Sequence, residues 1–170
     1  MSFQSILASL PKDLQRGIME MDAFVKSLRP LKFKRTVDKR KINYVSPDYG
    51  VSYAILPTDT KPTQHFGWYF LHDKETKTWF RKTDYFVDTL AEIAKTNSES
   101  ANRIFNSINT CTLCKGNPCS TISYSYEGED KLACYGRIVL PLCENSFADV
   151  QNFFQCLNAL LTQQNKQGES

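Results

Sequence analysis

Three thiols fall within nine residues in Cys111-Thr-Leu-Cys114-Lys-Gly116-Asn-Pro-Cys119. In a Cys-x-x-Cys pair the two sulfurs can turn toward one centre about 2.3 Å from each, as tetrahedral zinc requires. Gly116 permits the positive φ that such a tight loop needs, and Pro118 stiffens the approach to Cys119. The expected chemistry is a structural zinc site, closed by a fourth thiolate and leaving no open position for water or substrate. If Glu127 pairs with Lys131 across a hairpin turn, Cys134 lies opposite Tyr124, roughly 16 Å along the strand from Cys119. Cys143 then returns opposite Lys115, inside the loop. Cys143 is therefore the expected fourth ligand and Cys134 the alternative. A second use of the same thiols is a thiol-dependent enzyme or redox sensor acting through Cys111 and Cys114. A thioredoxin-like site would need that pair at a helix amino terminus, and no helical period begins there. Cys156 falls in the apolar arc of the last helix and reads as a small hydrophobe.

Aromatic residues crowd the segment from Tyr44 to Phe86. Alternation along strands would place large aromatics with polar handles on one sheet face. Tyr53, Trp68, Trp79, Arg81 and His65 are the expected lining of a site for a small organic molecule or a protein partner. The competing account is that strands favour aromatics for cross-strand packing. Lys34, Arg35, Lys39, Arg40 and Lys41 form a local basic run. Beside stacking aromatics, such a run is what single-stranded nucleic acid requires; alone it marks a solvated edge strand. With only Asp38 opposing six basic residues between Lys32 and Lys41, that segment carries +5, leaving −2 on the rest of a chain of net +3. No RNA-binding or zinc-finger spacing is present, so a nucleic-acid partner is not expected. The two histidines, His65 and His72, fall on opposite faces of a regular strand, and no hydrolase or zinc-protease motif occurs. The chain is expected to bind rather than catalyse.

These residues must be positioned by an α+β domain: antiparallel sheet packed with four or five helices, and a cysteine loop between a helix and a C-terminal hairpin. Leu14, Ile18, Met21, Val25 and Leu28 form one helical stripe between Pro11 and Pro30. Short strands are expected at Ile42 to Val45, Val51 to Leu56, Phe66 to Leu71 and Thr78 to Arg81. Two helices follow, with Phe86, Leu90 and Ile93, then Ala101, Ile104, Phe105 and Ile108, turned inward. A hairpin of Thr121–Glu127 and Lys131–Leu140 turns at Gly128-Glu129-Asp130. Ser146 with Asp149 reads as a capping box opening the last helix. Residues 1–161 are expected to form one domain and 162–170 a frayed polar tail.

Hydrophobic residues at 41% and charged residues at 23% exclude a wholly disordered chain. No apolar run approaches the roughly 20 residues that span a bilayer, and no positive amino-terminal stretch leads into an apolar one. A cytoplasmic protein with no membrane association is expected, in a reducing compartment where clustered cysteines favour metal over disulfides. The Leu10-Pro11 helix opening, the strand Gly50–Ile55, the run His65–Leu71 and the late Cys134-Tyr-Gly-Arg137 occur in an order that resembles uncharacterised bacterial proteins. The resemblance implies no activity and assigns no residue a role.

Overall fold

The computed structural model describes residues 2–58, 60–68, 71–72, 75–77, 79–80, 85–108, 122–133 and 137–168. Helix α1 (Phe3–Leu7) opens with a capping box in which Ser2 and Ser5 each accept the other's backbone N–H through their hydroxyls. Helix α2 (Lys12–Ser27) follows Pro11 and buries Ile18, Met21 and Val25, the stripe read from the sequence. Asp13 in its first turn and Lys26 in its last complement the helix dipole.

Strands β1 (Lys34–Asp38), β2 (Lys41–Ser46), β3 (Val51–Leu56) and β4 (Thr63–Trp68) form an antiparallel meander. The ladder β5 (Leu71–His72) with β6 (Trp79–Phe80) comes next, then helices α3 (Tyr85–Thr96) and α4 (Ser98–Asn106). Asn97 caps α4, its side chain accepting the Ser100 N–H at 3.0 Å. Strands β7 (Ile122–Tyr126) and β8 (Glu129–Ala133) make a separate hairpin, β9 (Arg137–Pro141) pairs with β4, and α5 (Glu144–Gly168) closes the described chain. The main sheet runs β1-β2-β3-β4-β9, all antiparallel.

Alternation sends the described aromatic and isoleucine side chains of this sheet to one side. Cross-strand rows Tyr44–Tyr53–Phe66–Ile138 and Ile42–Ile55–Gln64–Leu140 face the helices and are buried. Phe153 and Phe154 of α5 press on them, with ring centroids 4.9 and 5.6 Å from Phe66. Helix α5 packs against α2, α3 and α4, and α3 packs against α4. Gly17 permits the close approach of α2: a Cβ there would lie 2.6 Å from a Phe147 ring carbon. The β7–β8 hairpin covers the remaining gap by setting Tyr124 against Phe86 and Tyr126 against Phe105.

Two buried polar ties cross this core. Gln64 accepts from the Tyr53 hydroxyl and donates to Ser146 Oγ, each at 2.7 Å. Asp149, 1% exposed, accepts from Ser100 Oγ at 2.6 Å and from Arg103 Nε and Nη2 at 2.9 and 2.8 Å, fastening α5 to α4.

Several expectations are corrected. The hairpin turns on Glu127-Gly128, both at positive φ (49° and 81°), so Tyr126 pairs with Glu129 and Tyr124 with Lys131. Relative to the expected register the pairing moves by three residues, and an odd shift exchanges the faces of one strand. The returning segment divides into β8 and β9, which belong to different sheets. Ser146 is not the helix cap: its hydroxyl accepts the Cys143 N–H at 3.2 Å and donates to the Pro141 and Cys143 carbonyls. Residues expected as a tail continue α5 through Gly168, where Asn165 donates to the Tyr49 hydroxyl at 3.1 Å and Gln164 accepts from Tyr85.

Candidate functional site

Among the described residues the helices' recorded ring contacts with the main sheet fall on its Tyr53–Phe66 side, and none falls on the reverse face. That reverse face carries Lys34, Val45, Ser52 and Gly67 in one cross-strand row, and Thr36, Asn43, Ala54, His65 and Val139 in the next. Asp38 and Lys41 share its end, where Lys39 and Arg40 make the exposed hairpin turn, Lys39 at φ 47°. The local reason is the period of two: Asn43 and Val45 alternate with Ile42 and Tyr44, and Ser52 and Ala54 with Val51, Tyr53 and Ile55. Small and polar side chains here leave a hollow of about 330 Å³ bounded by Thr36, Lys41, Asn43, Val45, Ser52 and Ala54. Its chemistry is hydrogen bonding by hydroxyls and a carboxamide beside lysine and arginine cations. His65 Nε2 lies 2.9 Å from Thr63 Oγ1 on the same face.

This geometry separates the residues expected to act together. Tyr53 is fully buried and Trp68 is 4% exposed, both on the helix side, while His65 is on the reverse face. Trp79 pairs with His72 in the β5–β6 ladder; Arg81 lies outside the described residues. Of the basic run, Lys34 and Lys41 belong to the reverse face and Lys39 and Arg40 to its adjoining turn. Arg35 points the other way, where Nη1 donates to Asp22 at 2.8 Å and the guanidinium carbon lies 4.0 Å above the Phe3 ring centroid. Of the aromatics that could stack on bases, Tyr44, Tyr53, Phe66 and Trp68 are buried in the core, and Tyr69 and Phe70 lie outside the described residues. Thr36, Asn43, Ser52 and Ala54 were not singled out as site residues; their alternation with buried neighbours was the available signal.

The zinc assignment is corrected. Among the described residues no group of three or more His, Cys, Asp or Glu side chains is placed to hold a metal ion. Cys143, the expected fourth ligand, is exposed at the start of α5, with Sγ 3.4 Å from Ser146 Oγ. Among the described residues this exposed thiol at the helix start has no group of metal-ligating side chains converging with it. Cys111, Cys114, Cys119 and Cys134 lie outside the described residues, as does the expected cysteine loop. Cys143 and Cys156 are both free thiols. Burial, then the charge of Glu92, pushes the Cys156 thiol up, which disfavours a reactive thiolate there.

On the helix side, Asp22 joins Lys26, Arg35 and the Tyr44 hydroxyl at 2.7, 2.8 and 2.9 Å. Burial works against its charge, but the hydrogen bonds from Lys26, Tyr44 and Arg35 outweigh it and hold the carboxyl below its ordinary value. A depressed folded-state pKa contributes stability that is complete above the unfolded value of about 4 and is lost as pH falls through the folded one. Stability should therefore decline below about pH 4, and Asp22→Asn should flatten this part of the profile. Urea midpoints across the acid range check it; an unchanged profile would remove Asp22 from the account.

The fold defines a class: an α+β domain whose described helices pack against antiparallel sheet. Against known proteins, no family model matches the chain, and neither a curated protein nor a solved structure matches it. No described helix is long and apolar enough to cross a membrane.

Proposed function

We propose that this domain is a binding module that docks an acidic segment of a partner protein on the open sheet face. The observation that supports the reading is this face, uncovered among the described residues, with Lys34 and Lys41 on it and Lys39 and Arg40 at its end. Small side chains in its centre bring a ligand close to the strand backbone. Cations arranged around a polar face favour a partner of opposite charge and speed its encounter. The burial of Tyr44, Tyr53, Phe66 and Trp68 favours a polypeptide over a single-stranded nucleic acid, which needs rings to stack on. A cytoplasmic setting fits the free thiols of Cys143 and Cys156, and thiol counting on protein taken directly from cells checks that setting.

The test is a titration of isotope-labelled protein with a glutamate-rich peptide, a lysine-rich peptide and an oligothymidylate. Chemical-shift changes are expected at Thr36, Asn43, Ser52 and His65 with the acidic peptide, weakening with added salt. Lys34→Glu with Lys41→Glu should reduce its affinity by about tenfold or more. Shifts confined to the helices, or stronger binding of the oligothymidylate, would overturn the reading.

A further inference from the structure

The two edges of the main sheet are treated differently. On the β9 edge, Val139 N–H donates to the Ser107 carbonyl at 3.1 Å and Ile138 forms a bridge with Ile108, so the end of α4 covers it. On the β1 edge no strand follows among the described residues. The β1–β2 hairpin closes through Asp38 and Lys41 around a two-residue turn. Antiparallel ladders alternate hydrogen-bonded and non-hydrogen-bonded pairs, and a two-residue hairpin closes on a bonded one. Asp38–Lys41, Thr36–Asn43 and Lys34–Val45 are then the bonded pairs. The backbone N–H and C=O groups of Arg35 and Val37 consequently face outward, away from β2.

We infer that the acidic segment docks by adding to β1 as a further strand, and that it alternates acidic with apolar residues. The inference rests on the binding role proposed above and specifies how the partner is held. Strand addition draws affinity from the main chain and specificity from alternate side chains. On the outer side a partner residue beside exposed Lys34 gains from negative charge, as cross-strand ion pairs do, whereas one beside Asp38 does not. On the inner side Val37 is half-buried against the core and Arg35 is already held by Asp22, so a partner residue there should be apolar. A second copy of this chain is the competing occupant, since an antiparallel β1 would set Lys34 opposite Asp38 and Arg35 opposite Val37; a stable dimer formed through β1 without peptide would overturn the proposal. Lysines on a bare edge also discourage strangers; the same charges leave acidic strands as the permitted class.

The probe is a synthetic peptide of alternating glutamate and valine, compared with a copy N-methylated at alternate residues on the edge that meets β1. The first should bind and slow deuterium exchange at Arg35 and Val37; the second should bind at least about tenfold more weakly. Val37→Pro removes one outward N–H without breaking the β1–β2 ladder, and should lower affinity for the first peptide similarly. Should that variant not fold, the N-methylated copy decides alone. Equal binding of both peptides, with no protection at Arg35 and Val37, would overturn strand addition while leaving docking on the face intact. Failure of both peptides and of the glutamate-rich peptide to bind would remove the binding role itself, and the lysines would then be edge guards only.

Discussion

Phe153→Ala is expected to destabilise the protein by about 3–5 kcal/mol, the range for deleting a fully buried phenyl ring. Phe153 has no exposed surface, and its ring lies 4.9 to 5.8 Å from those of Phe66, Trp68, Phe86 and Phe154. It therefore joins the sheet, α3 and α5 at one point. Neighbours drawn from three elements cannot all collapse into the vacated space, so the cavity contribution should be large. Domains of this size have about 5–15 kcal/mol in hand, and the variant should retain only part of it. Phe153→Leu, which keeps most of the volume, should cost much less. Urea unfolding measures both; a loss below about 1 kcal/mol for the alanine variant would mean that α5 does not seat on the sheet through this ring.

The second large effect is polar. Gln64 is fully buried and joins the Tyr53 hydroxyl of β3 to Ser146 of α5. Gln64→Leu nearly conserves volume in an otherwise apolar row of Ile42, Ile55 and Leu140, yet leaves the Tyr53 hydroxyl without its acceptor. A stranded buried hydroxyl costs about 1–3 kcal/mol. Ser146 should adapt, since it also donates to the Pro141 and Cys143 carbonyls. Adding Tyr53→Phe removes the orphaned group as well, so the double variant should be more stable than Gln64→Leu alone. A double-mutant cycle by chemical denaturation reads this coupling; additive losses would show that the bond contributes nothing.

Both effects expose the limits of local pattern. The stripe of α2 and the inward residues of α3 and α4 follow from helical spacing, because a helix must bury its apolar arc whatever it packs against. Gln64 and Asp149 offered no such signal: each is polar at a position where periodicity alone cannot separate a core partner from a solvated residue. Ser146 and Asp149 even imitated a capping box, since their spacing is the same whether the serine precedes the helix or occupies its third position. The hairpin register slipped for a related reason. Glu127 is an unusual residue for a left-handed turn position, so the turn was expected one residue later than it occurs, and the cross-strand faces were exchanged.

The order of elements, the α+β class, the inward stripes and the single basic run were determined by the sequence alone, because each depends on neighbours within a few positions. Tertiary structure decided which sheet face received the helices, and with it the roles of the aromatics. Tyr53 and Trp68 alternate with Ser52 and Gly67 in either case, but only the docking of Phe153 and Phe154 turns the ring-bearing side into the core and sets the small, lysine-bordered side away from the described helices. Burial of the larger apolar area is the more favourable choice by the hydrophobic effect, and it is settled between residues nearly ninety positions apart. The same long-range placement set Arg35 against Asp22 while its neighbour Lys34 stayed on the open face, a division that no reading of adjacent charges contains.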